Sequence, residues 1–144
     1  MMRIIAVLSI GGVLAAGAAA AQAPESQPVG TMREFMASVV YPPTNELLLS
    51  MNRGAPANAK EWAAVQRSAI QLAESGNLLM MRGRAMDQGQ WLKEARGLVD
   101  VGAAAYKAAG TKDAVALRAL EAPLNASCVN CHKQYRPNVH PRQQ

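Results

Sequence analysis

Aromatic residues are scarce in this sequence. A single phenylalanine, two tryptophans and three tyrosines make up 4% of the 144 residues. Aromatic side chains usually supply a large share of the area buried in a protein core, so this chain alone would build a thin core. A large buried cofactor would fill that gap.

Histidine and cysteine are also rare, with two of each. The sequence contains no Ser-His-Asp set, no paired carboxylates within an apolar stretch and no glycine-rich phosphate loop. It therefore gives no indication of an enzyme. Basic residues outnumber acidic ones by 15 to 10, but no basic stripe interleaved with aromatic residues indicates nucleic-acid binding.

Strand patterns are missing as well, because apolar and polar residues do not alternate over any useful length. Apolar residues instead recur at helical spacing over four segments, at about residues 31–51, 58–84, 90–109 and 111–136. Four helices of roughly 20 residues joined by short connections predict an all-α fold, an antiparallel four-helix bundle.

Several residues are placed to begin, end or bend these helices. Thr31 and Glu34 have the spacing of a capping box. Gly110 is predicted to end the third helix, and Thr111 is predicted to cap the fourth. Proline disrupts helical hydrogen bonding, so Pro42-Pro43 should interrupt the first helix and Pro123 should kink the fourth.

The N-terminus predicts a secretory signal peptide at residues 1–21. Arg3 gives a positive start, and the apolar run that follows ends in the Ala-x-Ala pattern of a cleavage site at Ala21. An uncleaved membrane anchor is the alternative, since roughly 18 apolar residues is near the minimum span. The Ala- and Gly-rich second half of the run favours cleavage. Residues 22–30 are then a flexible lead-in, 31–136 the helical domain and 137–144 a tail.

The main functional motif is Cys128-Val129-Asn130-Cys131-His132. Two cysteines three apart, with a histidine directly after the second, form the c-type haem attachment pattern. Each thiol would form a thioether bond to one haem vinyl group, and His132 would bind the iron. On a helix these three side chains share one face. Export fits this chemistry, because bacterial thioether attachment takes place outside the cytoplasm.

Two other interpretations of the motif remain open at this point. Cys128 and Cys131 could form a structural or redox disulfide, although redox CxxC pairs normally follow a strand. Zinc would need four ligands, and only His140 could join Cys128, Cys131 and His132.

The second axial ligand of the iron decides the function of such a site. His140 would lie on the same side of the haem as His132. The second ligand is therefore either a methionine, or the iron has no second ligand. Met32 and Met36 are four residues apart on the first helix and could both face the haem, whereas Met80 and Met81 are read as core residues. His/Met ligation suits electron transfer. An open iron would instead bind small gases such as nitric oxide.

The pattern resembles the class II c-type cytochromes, namely cytochrome c′ and cytochrome c-556. The family motif CxxCHxxYR stands here near the C-terminus and ends at Tyr135-Arg136. The resemblance implies a four-helix bundle with thioether bonds from Cys128 and Cys131 and with His132 as the proximal ligand.

The c-556 branch is similar in having an apolar residue followed by methionine on its first helix. In this chain that pair is Phe35-Met36, so the resemblance implies Met36 as sixth ligand and Met32 as second choice. The chain departs from the family at Tyr41-Pro42-Pro43, which could shift the methionine. The resemblance also implies a periplasmic protein of a Gram-negative bacterium, and homodimers are common in the family.

Redox proteins are the expected partners. The mature chain would keep 14 basic against 10 acidic residues, and two haem propionates would cancel about half of that excess. Lys133, Arg136 and Arg142 form a positive cluster near the expected haem edge, where it could attract an acidic redox partner. A solvated helix end is the simpler explanation of the same cluster.

Overall fold

The structure is a computed structural model that describes residues 26–138. The predicted signal peptide, residues 22–25 of the lead-in, His140 and Arg142 lie outside the described residues. Every regular element within residues 26–138 is helical. The prediction of an all-α chain is therefore confirmed for this part, and its arrangement is compatible with a helical bundle.

The first arm of the fold consists of helix α1 (Met32–Phe35), a π-helical turn (Met36–Val40) and helix α2 (Tyr41–Asn52). Thr31 begins it with the predicted capping box. The Glu34 N–H donates to Thr31 Oγ1 at 3.2 Å, and the Thr31 N–H donates to the Glu34 carboxylate at 2.9 Å. These bonds satisfy backbone donors that the start of a helix leaves unpaired.

Helices α3 (Ala59–Leu79) and α4 (Gln90–Gly110) follow. Asn58 caps α3 by accepting the Glu61 N–H at 3.0 Å. Helix α3 ends earlier than residue 84, the end that the sequence predicted. The Met80 N–H bonds to the Asn77 carbonyl at 3.1 Å, which tightens the last turn, and Gly83 then adopts a φ of +84°. Such a φ takes the chain out of the helix.

Gly110 was predicted to follow the last residue of this helix in the left-handed conformation, but it is itself the last helical residue of α4. Lys112 instead adopts the left-handed conformation with a φ of +56°. The Asp113 N–H bonds to the Ala108 carbonyl at 2.9 Å, and the Lys112 N–H bonds to the Ala109 carbonyl at 3.2 Å. This is a Schellman ending with a lysine at the position where glycine is usual.

The last arm is divided into α5 (Ala114–Ala119) and α6 (Glu121–Tyr135). The prediction that Thr111 caps this arm is wrong. Asp113 is the cap, since its carboxylate accepts the Val115 and Ala116 N–H groups. The arm breaks at Leu120, so that Pro123 falls in the first turn of α6, where a missing N–H is tolerated.

The closest packing in the fold is between α3 and α4. A Cβ added at Gly102 would lie 2.7 Å from the backbone nitrogen of Ala73, so only glycine fits at this crossing. Side chains from all the arms meet in one core. The largest apolar side chains that are fully buried there are leucines and a valine from α2, α3, α5 and α6: Leu47, Val65, Leu72, Leu117 and Leu124.

Over residues 26–138, none of the helices combines the length and apolar character that crossing a bilayer requires.

Candidate functional site

Helix α6 carries the Cys128-Val129-Asn130-Cys131-His132 motif, and one of its faces is directed into the protein. Leu124 is fully buried on this face, and Ser127, Cys128, Cys131 and His132 continue it as half-buried residues. The two cysteines are not joined in a disulfide. The helical spacing of the motif thus directs both thiols and the imidazole to the same side of α6.

These side chains line an apolar cavity between α6, α4 and the first arm. Its empty volume is about 440 Å³, counting the part that opens to solvent. Met36 and Val40 contribute to the wall from the π-helical turn, opposite the motif. The remaining lining residues come from α3, α4 and α6: Leu79, Trp91, Glu94, Ala95, Leu98 and Ser127.

A second cavity adjoins the first and shares Met36, Trp91, Cys131 and His132 with it. Its empty volume is about 700 Å³, again including open solvent, and its wall is mostly apolar. Because four residues belong to both cavities, we treat the two as one cleft, called the motif cleft below. Met32 and Tyr135 line its second part.

The methionines differ in their relation to the motif cleft. Met36 is half-buried and lines both parts, whereas Met32 lines only the second. Met80 packs against the core and Met81 is half-buried; neither contributes to the part of the cleft wall that the structure describes. Met86 also lines the second part, although it is 64% exposed.

The surroundings of the two thiols keep them protonated near neutral pH. Burial raises the pKa of Cys128. Burial, followed by the negative charges of Glu94 and the Cys128 thiolate, raises the pKa of Cys131 to about 11. Redox-active cysteines instead have a lowered pKa, produced by positive charge or a helix N-terminus. The direction of both shifts is thus opposite to the lowering that activates a redox cysteine.

Three residues that sequence reasoning did not connect meet at the edge of the cleft. The Tyr135 hydroxyl donates a hydrogen bond to the carboxylate of Asp87. The Tyr135 ring meets Trp91 edge to face, with centroids 4.9 Å apart. The Trp91 indole N–H in turn donates to the Leu79 carbonyl at 2.7 Å. The motif identified Tyr135, but no sequence signal links it to a turn residue 48 positions earlier.

Phe35, the only phenylalanine, is held in the core beside the cleft. It is 5% exposed, and the guanidinium carbon of Arg84 lies 4.2 Å from the centre of its ring. This is within the range of a cation–π interaction. The Arg84 Nε–H is itself buried and donates to no hydrogen-bond acceptor within residues 26–138. Stacking on Phe35 thus accounts for the placement of Arg84.

The chemistry of the motif cleft fits a covalently attached haem. It combines two thiols and an imidazole at the attachment spacing with a thioether sulfur and an apolar lining. Within residues 26–138, no group of three His, Cys, Asp or Glu side chains is placed to hold a metal ion, and His140, the fourth candidate zinc ligand, lies outside that range. Searches of family models, curated proteins and solved structures gave no match to this chain.

Proposed function

We propose that this protein carries one covalently bound haem and transfers electrons. One observation supports this most strongly: Cys128, Cys131, His132 and Met36 line the same apolar cavity. Cys128 and Cys131 would hold the haem through thioether bonds, and His132 and Met36 would bind its iron. When bound, the haem supplies a one-electron redox couple, which His/Met ligation shifts to higher potential.

The protein's own side chains would contribute in other ways. Leu79, Leu98 and Trp91 give the cleft an apolar wall, and a low-polarity environment around iron restricts solvent and favours the less charged reduced state. Tyr135 and Asp87 tie the end of α6 to the turn before α4. This contact would limit movement of His132, three residues before Tyr135.

Location and partners belong to the same proposal. A cleaved signal would export the chain to the periplasm, where haem attachment takes place. Lys133 and Arg136 are exposed at the end of α6, and Arg136 also borders the cleft. An acidic redox protein docking there would approach the cleft closely, with an association rate that falls as ionic strength rises.

Spectroscopy of the holoprotein tests this proposal. The full chain should be produced together with a bacterial haem maturation system, and its oxidised and reduced spectra recorded. We expect low-spin ferric iron with a methionine–iron charge-transfer band that Met36→Ala abolishes. Met81→Ala serves as the matched control, because Met81 is half-buried outside the described cleft wall, and it should leave the band unchanged.

Other spectra would point to other functions. High-spin ferric iron that is insensitive to Met36→Ala would contradict His/Met ligation and favour the five-coordinate alternative, in which small gases bind the iron. If Met32→Ala rather than Met36→Ala abolished the band, the ligand would be the second-choice methionine.

A further inference from the structure

Pro42 and Pro43 account for the unusual turn that precedes them. In a continuous α-helix their N–H groups would bond to the carbonyls of Ser38 and Val39. Proline has no N–H, and its ring collides with the carbonyl four residues earlier. Here those carbonyls belong to the π-helical turn, in which the Tyr41 N–H reaches the Met36 carbonyl, five residues back. The wider turn thus accommodates both prolines.

This turn changes which residue of the first arm enters the core. From the end of the turn through α2, the buried positions are Val40, Pro43, Thr44, Leu47 and Met51, which lie on one face of the helix. Residue 36 lies four residues before Val40 and seven before Pro43, so at α-helical spacing it would be the next position on this buried face. Phe35 is buried instead, and Met36 is half-buried.

The cause of the shift is the extra residue in the turn. One residue corresponds to about 100° of rotation around the helix axis, so α1 is rotated by that angle relative to α2. Phe35 consequently takes the core position, and Met36 occupies the adjacent position that borders the motif cleft.

Contacts on both sides of the turn maintain this register. Arg84 stacks on Phe35 at 4.2 Å. On the other side, the Thr44 hydroxyl donates to the Val40 carbonyl at 2.7 Å in a buried hydrogen bond. The π-helical turn is therefore anchored at each end.

We infer that Pro42 and Pro43 are positioning residues that direct Met36 toward the motif cleft by enforcing the π-helical turn. The inference rests on the proposed function, because the haem iron is what gives the position of Met36 its consequence. If the same segment were α-helical throughout, Met36 would enter the core and Ala37 would border the cleft. Alanine offers no ligand atom.

The test compares two variants of the holoprotein. Pro42→Ala/Pro43→Ala permits an α-helical turn, and we expect loss of the methionine–iron charge-transfer band. Deleting Ser38, an exposed residue of the turn, in that background removes the extra residue. It should restore the original register, and with it the band. Far-UV circular dichroism checks that both variants remain helical.

Each result decides the inference. A band that persists in the double-alanine variant, or that the Ser38 deletion fails to restore, overturns it. If the double-alanine variant takes up no haem while the deletion variant takes it up and shows the band, the register explanation is supported. If neither variant takes up haem, the explanation is overturned, since the deletion was expected to correct the register.

Failure of the proposed function gives a different result, namely a wild-type protein without the band. The inference is then decided by methyl NMR of protein labelled at the methionine methyl groups, with Met36 assigned through Met36→Leu. A Met36 resonance strongly shifted by the haem in the wild type, and not in the double-alanine variant, supports the inference. Equal shifts in both overturn it, and a wild type that contains no haem contradicts both proposals.

Discussion

Tyr135 donates its hydroxyl hydrogen to the carboxylate of Asp87, 48 residues earlier in the chain. Asp87 also accepts the backbone N–H groups of Gly89 at 2.8 Å and Trp91 at 3.0 Å. One carboxylate thus joins the end of α6, which carries Cys128, Cys131 and His132, to the start of α4, which forms a wall of the motif cleft.

The first prediction concerns this link between α6 and α4. Tyr135→Phe removes the hydroxyl but keeps the ring against Trp91. We expect faster amide hydrogen exchange in the last turn of α6, because its fixed contact with Asp87 is lost. Tyr106→Phe, a change at a tyrosine that is 42% exposed on α4, is the control and should not alter exchange in α6. Equal exchange in Tyr135→Phe and wild type would show that the bond does not restrain the helix end.

The second prediction is the acid dependence of the same link. Hydrogen bonds from Tyr135, Trp91 and Gly89 lower the pKa of Asp87 in the folded protein. A group whose folded pKa is lowered contributes stability above its unfolded pKa of about 3.9 and loses it as pH falls through the folded value. The stability difference between wild type and Asp87→Asn should therefore shrink below about pH 4. Urea denaturation at several pH values measures it, and a difference independent of pH would contradict the assignment.

The third prediction is the alkaline behaviour of Tyr135. Burial, followed by the bond to Asp87 and its negative charge, raises the pKa of Tyr135 to about 12. The unfolded value is about 10, so the folded state favours the neutral phenol. Its stabilisation should be complete below pH 10 or so and disappear as pH rises toward the folded pKa. Tyrosinate absorbance recorded as pH rises measures the ionisation of each phenol. The Tyr135→Phe variant should lack the ionisation that occurs at the highest pH, and loss of an ionisation at lower pH would contradict the assignment.

The fourth prediction concerns the packing of α3 against α4. Gly102→Ala places a methyl group 2.7 Å from the backbone nitrogen of Ala73, and overpacking of this kind costs about 1–3 kcal/mol. Gly97→Ala is the matched control on the same helix, since no atom lies within 4 Å of its added Cβ. That change should stabilise by about 0.5–1 kcal/mol. Thermal denaturation of both variants would show opposite shifts in Tm, and shifts of the same sign would contradict the packing described.

The fifth prediction concerns Trp91, which is 3% exposed and lines both parts of the cleft. Trp91→Phe removes the indole N–H that donates to the Leu79 carbonyl at 2.7 Å, a loss of about 1 kcal/mol. The haem spectrum of the variant should also shift, because the wall of the cleft changes. Trp62→Phe alters a buried tryptophan of α3 that is not among the described cleft residues, and we expect no spectral shift. Identical spectra for wild type and Trp91→Phe would contradict a haem beside Trp91.

Helical periodicity and capping chemistry were sufficient to predict much of the fold. The Thr31 capping box was identified because both partners are local and three residues apart. The end of α4 was assigned to the wrong residue, because glycine is the usual left-handed residue and here Lys112 takes that role. The Asp113 cap, with its two backbone hydrogen bonds, fixes the position of the turn more strongly than Thr111 does.

For the candidate site too, the local features were predicted from the sequence and the features that depend on tertiary packing were not. The spacing of Cys128, Cys131 and His132 indicated a shared face without any tertiary information. Pro42-Pro43 indicated an interruption, but the sequence did not specify a π-helical turn, because its register depends on Phe35 fitting the core. Asp87 could not be connected to Tyr135 from sequence, since no local rule relates residues so far apart.

The central claim is that one haem is bonded to Cys128 and Cys131. The most direct measurement is the intact mass of the exported protein, denatured and produced beside a working maturation system. We predict the mass of the polypeptide plus one haem, with Cys128→Ala/Cys131→Ala giving the polypeptide mass alone. A colourless wild-type protein with the mass of the bare polypeptide would contradict the claim.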